Sequence, residues 1–171
     1  MTGVLVKGIG AHIILTRDNA KRVFAAAGDE SVRQVVSELR QSRKLRDAKL
    51  VLETGPSWAP IHRCLSDGSL DPTGGDFPLN HVILGGKRLH LSNGFEAIIV
   101  RPDIVPHVAE ALHDLKRNDI HDKYAGMSAE DLGHPPSERE FDIVWNSLQQ
   151  IRQLFEDAAN ERCAVLFTVE Q

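Results

Sequence analysis

Apolar positions change period several times along this chain. From Ile9 to Thr16 the run IGAHIILT is apolar and β-branched and reads as a strand, as do AKLVLE (Ala48 to Glu53) and CAVLFTVE near the far end. Thr16 offers a hydroxyl to cap a helix running to AAAG, where Gly28 suits a left-handed terminal position. DESVRQVVSELRQSRKLR then places Val32, Val35, Val36 and Leu39 at spacings of three and four, one buried helical stripe. Arg40, Arg43, Lys44 and Arg46 crowd its C-terminal end, where they complement the helix dipole. No aromatic residues interleave them, so they read as a solvated helix end rather than a nucleic-acid patch.

Past the Gly-Pro turn at Gly55-Pro56, Ser57 is positioned to cap a short helix carrying Trp58, Ile61, His62 and Leu65. SDGSLDPTGGDFP is a run of turn residues and predicts an irregular surface loop. LNHVILGG predicts a helical turn stopped by Gly85 and Gly86, and KRLHLSNGFEAIIVR a hairpin about Asn93-Gly94. Pro102 is placed to open a helix with Val105, Val108, Leu112 and Leu115 inward, and Asn118 to Pro136 reads as a second irregular connector with one or two short helical turns. Ser137 and Glu140 form a capping box ahead of a long helix in which Phe141, Val144, Trp145, Leu148, Ile151 and Phe155 recur at helical spacing. Strands and helices mix without a strict βαβ repeat, and a hairpin lies mid-chain. The expected fold is α+β: one compact domain over 1–171, with a mixed, largely antiparallel sheet of about five strands packed against helices.

Composition narrows the function classes. A length of 171 residues suffices for one real core, and a net charge of −4 supplies no steering field for nucleic acid. No apolar run approaches the roughly 18 residues that span a bilayer. The opening MTGVLVKGIGAHIIL has neither basic leader nor small-residue cleavage site, so the expected location is the cytoplasm, with Cys64 and Cys163 as buried reduced thiols.

The densest stretch of chemistry is ETGPSWAPIHRCLSDGS, Glu53 to Ser69. On a helix Trp58 and His62 share a face, whereas Cys64 is half a turn from His62 and cannot pair with it locally. Packing of Trp58, Ile61 and Leu65 on the sheet, with His62 hydrogen-bonded beside them, is the structural reading. The functional alternative is a pocket lined by Glu53, Trp58 and His62, with Glu53 orienting the imidazole. The eight histidines show no one-turn metal spacing, and phosphate-binding glycine motifs and a Gly-x-Ser-x-Gly elbow are missing. No metal or cofactor is expected.

The order of several segments resembles the YfbM-like bacterial proteins, a domain of unknown function. KGIGAHIILT precedes a helix, followed by SWAPIHRCL, PLNHVILGG, RPDIVPHVAEAL, HDKYAGM and finally DAANERCAVLFTVE. The resemblance implies a single α+β domain and no particular activity. Members of that family tend to carry an aromatic residue before a proline ahead of the last helix; here His134 and Pro135 stand there. The leading expectation is a small binding or interaction protein without catalysis of its own, one version being an immunity-type inhibitor of a partner protein. Asp67, Asp71 and Asp76, with Asp119, Asp122, Glu130 and Asp131, would suit a basic partner. The rival is a small-molecule hydrolase or transferase using His62 near Glu53 and Trp58.

Overall fold

The computed structural model describes residues 8–92 and 94–170. In chain order the elements are β1 (Ile9–Leu15), α1 (Arg17–Ala25), α2 (Asp29–Gln41), α3 (Arg43–Asp47), β2 (Val51–Gly55) and α4 (Trp58–Leu65). A 3-10 turn at Leu79–His81 leads to β3 (Lys87–Ser92), β4 (Phe95–Val100), α5 (Val105–His113), α6 (Arg117–Ala125), α7 (Ala129–Leu132), α8 (Glu138–Asn160) and β5 (Ala164–Glu170). The five strands form one sheet in the order β2-β1-β5-β4-β3, and every neighbouring pair is antiparallel. The expected α+β class holds, with a sheet antiparallel throughout rather than mixed.

The last strand lies at the centre. Its sequence AVLFTVE is buried at every position but the final glutamate, as a strand covered on both faces requires. Alternation sorts the sheet's side chains into two cores. Ala11, Ile13, Leu15, Ala97, Ile99, Ala164 and Leu166 are buried on the side of α1, α2 and α3, with Val32, Val36 and Leu39 against them. Ile14, Ile98, Val100, Val165, Phe167 and Val169 face the larger core made by α4, α5, α6 and α8. Gly10 permits the closest approach on that side: a Cβ there would stand 2.8 Å from the Phe167 ring and 3.0 Å from the Trp58 indole.

Several boundaries differ from the sequence expectation. The helix expected to continue through Arg46 breaks at Ser42, whose hydroxyl accepts from the Leu45 amide and starts α3. Gly28 does take a positive φ, but as the residue opening α2 rather than closing α1. Ser57 makes no side-chain cap, and Pro106 in place of Pro102 occupies the first turn of α5. The connector expected from Asn118 to Pro136 is largely helical. Only Ile120 and Tyr124 of α6 are buried, one turn apart, too thin a stripe to register as periodicity. The hairpin forms as expected, with Gly94 at φ 83°; Asn93 lies outside the described residues.

The Ser137 hydroxyl accepts from the Glu140 amide and starts α8 as its sequence suggests. Phe141, Val144, Leu148, Ile151, Leu154 and Phe155 line its buried face, but Trp145 is only half-buried, stacked on Phe141 at the margin. Phe155→Ala should therefore cost about 3–5 kcal/mol and Trp145→Ala about 1–2 kcal/mol in urea unfolding. Equal losses would contradict this assignment of the core.

Candidate functional site

Residues 53 and 54 are adjacent in β2 and so point to opposite faces of the sheet. Glu53 faces α2 and α3, where Arg40 binds it through both carboxylate oxygens (3.2 and 2.7 Å) and Arg46 adds a third hydrogen bond at 2.7 Å. Burial alone would raise the Glu53 carboxyl, but the hydrogen bonds and charges of Arg40 and Arg46 outweigh it and hold the group below its ordinary value. Glu53 is thus a fixed anion joining α2, α3 and β2, and does not orient His62 as the pocket reading required. Two members of the basic run at residues 40–46 are committed to this contact.

On the other face Thr54 meets His12, a residue that drew no attention in the sequence. His12 is fully buried between Phe167 (ring centroids 4.9 Å apart) and Phe155 (6.1 Å). Its Nε2–H donates to the Val82 carbonyl at 2.9 Å, so the neutral ring's Nδ1 accepts from the Thr54 hydroxyl at 2.8 Å. Desolvation lowers its pKa to about 4, against a partial opposing effect of the Val82 hydrogen bond. The signal in the sequence was a lone polar residue inside an otherwise apolar strand. With both ring nitrogens occupied, the imidazole joins β1 to β2 and to the segment after the 3-10 turn.

Trp58 and His62 do share the inner face of α4. The indole N–H donates to the Gly8 carbonyl at 2.8 Å, and the ring packs on Phe167. His62 is fully buried; its Nε2–H reaches the Asp71 carbonyl at 3.3 Å, and Nδ1 has no hydrogen-bond partner among the described residues. Burial lowers its pKa, partly countered by the Asp71 carbonyl. Cys64 is likewise buried, and desolvation pushes its thiol up to about 12, which removes it as a nucleophile near neutral pH. The hydrolase or transferase reading therefore lacks an acid–base pair here.

The same helix end has a different occupation. Arg63 donates to the Gly68 carbonyl at 3.0 Å and lies 3.6 Å from Asp131, while the Ser66 hydroxyl donates to the His62 carbonyl at 2.7 Å. The loop that follows folds back so closely that a Cβ at Gly75 would meet the Ser66 Cα at 2.6 Å. Within it Asp67 accepts from the amide and hydroxyl of Ser69 (3.0 and 2.6 Å), and Asp71 likewise from Thr73 (2.9 and 2.8 Å). These bonds hold both exposed carboxyls below their ordinary range, Asp67 chiefly through the Ser69 hydroxyl and Asp71 chiefly through the Thr73 amide. Asp67, Asp71 and Asp76 are exposed, as is Phe77 beside them at 50%. Of the other acidic residues in the sequence reading, Asp131 is tied to this loop through Arg63. Among the described residues no three His, Cys, Asp or Glu side chains are grouped to hold a metal, and no helix is long and apolar enough to cross a membrane.

The sequence profile of the family described as "Domain of unknown function (DUF1877)" matches residues 8–168. The chain belongs to this family. The fold of this DUF1877 chain is similar to the crystal structure of YfbM from Escherichia coli, a protein of unknown function. The TM-score is 0.69 at 16% identity, over 94% of this chain and 99% of that one, a likeness that bears on the fold alone. No curated protein matches the chain in sequence. At the place where an aromatic residue was expected before the last helix, the DUF1877 chain exposes His134, 4.0 Å from Glu140.

Buried neutral histidines tie stability to pH. His12 titrates near 6.5 when unfolded and at about 4 in the fold, so between those values only the unfolded chain gains a proton. Stability should be full above about pH 6.5 and fall by about 3 kcal/mol as pH drops to 4, with His62 adding in the same direction. Urea midpoints across this range should show a shallower dependence in His12→Gln; an unchanged slope would exclude His12 as the source. For the loop, His62→Ala should speed proteolytic cleavage between residues 66 and 78 and lower the melting temperature, and His62→Gln should do so less because it keeps a donor. Wild-type cleavage and melting in both variants would show that His62 does not hold the loop.

Proposed function

We propose that this DUF1877 protein is a binding protein that presents the loop from Ser66 to Pro78 to a basic partner protein and performs no chemistry at His62. The observation that carries the reading is the way the loop is built. The backbone of an irregular, exposed segment is tied at Gly68 and Asp71 by side chains of α4, and two of its carboxylates are oriented by their own Ser and Thr neighbours. A segment ordered before binding loses less conformational entropy on contact, which is the usual route by which a short loop becomes a recognition element. Its exposed groups combine Asp67, Asp71 and Asp76 with the ring of Phe77, an acidic and aromatic surface suited to a patch of lysine and arginine. In the narrower, immunity-type form, the loop occludes a basic active-site cleft of a toxic partner.

Affinity capture from the native host identifies the candidate partner, and binding kinetics then decide. Asp71→Lys together with Asp76→Lys should slow association by about tenfold at low ionic strength, with the difference shrinking as salt screens the charges. An association rate indifferent to both the substitutions and the salt would remove the acidic loop from the interface.

A further inference from the structure

A concavity lies beyond Phe77, between the 3-10 turn, the start of β3 and the passage from β4 to α5. It has a volume of about 240 Å³ and is lined by His81, Lys87, Ile99, Val100, Arg101 and Ile104. Three nitrogen-bearing side chains from three separate segments meet there, and these six residues include no carboxylate. The nearby acid, Asp103, holds Arg101 through one terminal nitrogen at 2.9 Å, an exposed pair that leaves the rest of the guanidinium fork available. His81 donates its Nδ1–H to the Asn80 side-chain oxygen at 2.6 Å, which leaves Nε2 of the neutral ring an acceptor, so the positive charge of the cleft comes from Lys87 and Arg101.

Packing makes the place a formed cleft. Gly85 donates its amide to the Asn80 carbonyl at 2.8 Å, and a Cβ on Gly85 would stand only 2.3 Å from that oxygen. Only glycine lets the chain pass this close to the turn carrying His81 before it enters β3. Phe77 packs edge-on against His81 (centroids 5.0 Å) and lies 6.0 Å from His107, so an exposed aromatic group borders one side.

We propose that this cleft binds the anionic group, phosphate or carboxylate, of a small organic molecule whose apolar part rests on Ile104 and Phe77. Gathering Lys87 and Arg101 around a concavity concentrates positive potential that a multi-oxygen anion neutralises through charge-assisted hydrogen bonds, and the guanidinium fork suits paired oxygens. The volume lies below the roughly 300–1,000 Å³ of drug-sized sites, which fits a metabolite-sized ligand. The inference is independent of the acidic loop and survives if that loop binds nothing.

The test is an amide and imidazole NMR titration at constant ionic strength with inorganic phosphate, phenyl phosphate and benzoate in separate arms. The expected result is saturable shifts confined to residues 77–88 and 99–107, with an aryl anion binding more tightly than inorganic phosphate. The stronger of phenyl phosphate and benzoate identifies the anionic group. Lys87→Gln, at an exposed position, and Arg101→Gln should each weaken binding about tenfold with the rest of the spectrum unchanged. Shifts that grow linearly without saturation, that spread over basic side chains elsewhere, or that persist with wild-type affinity in both variants would overturn the proposal.

Discussion

In an antiparallel sheet covered on both faces, a strand side chain has no solvent side to turn to. Helices pack on each side of the β1–β5 pair, so a buried polar residue in these strands must find its partner inside the protein. His12 does so with Thr54 and Val82, and the Thr168 hydroxyl with the Glu96 carbonyl at 3.0 Å. Leaving one such group unpaired would cost about 1–3 kcal/mol. The same constraint separates Glu53 from His62. A one-residue step along β2 changes the face, and the sheet then lies between them.

That separation redirects the functional reading of the segment from Glu53 to Ser69. Its conspicuous residues divide between two structural tasks. Glu53 gathers Arg40 and Arg46, tying α2 and α3 to the edge strand. Trp58 and His62 look inward, and with Arg63 they fix where the chain goes after α4. The composition of an active site is thus present without its geometry, because helix and strand periods disperse side chains that the sequence lists together. What reaches the surface is the loop, with a shape the buried residues determine.

How far the sequence reveals this depends on whether the deciding contact is local. The capping box at Ser137, the hairpin turn and the apolar run of β5 depend on neighbours within a few residues, and each is legible. The helical stripe of α8 is legible in period but not at its margin, where Trp145 is half-buried against Phe141. The break at Ser42 is a local cap hidden by a continuous run of good helix formers on either side. His12 shows in the sequence only as a polar residue inside an apolar strand, and its partners do not show at all, because Thr54 and Val82 are 42 and 70 residues away. The basic cleft is silent for the same reason: His81, Lys87 and Arg101 become neighbours only when β3 pairs with β4.

Charge at the surface follows from these placements rather than from the net value of −4. Asp67, Asp71 and Asp76 lie on the loop before Phe77, whereas His81, Lys87 and Arg101 surround the cleft after it. The two regions share an anchor. The 3-10 turn hangs from the loop through the Asn80 amide, which donates to the Asp76 carbonyl at 3.1 Å, and Val82 just beyond it is held by His12. The loop and the turn that carries His81 are thus joined by hydrogen-bonded backbone. Phe77, exposed and packed on His81, is the side chain common to both surfaces. Because linkage is reciprocal, any coupling between a protein on the acidic side and a small anion on the basic side has to change both affinities by the same factor. Its sign depends on whether each occupant prefers the observed Phe77–His81 contact kept or parted.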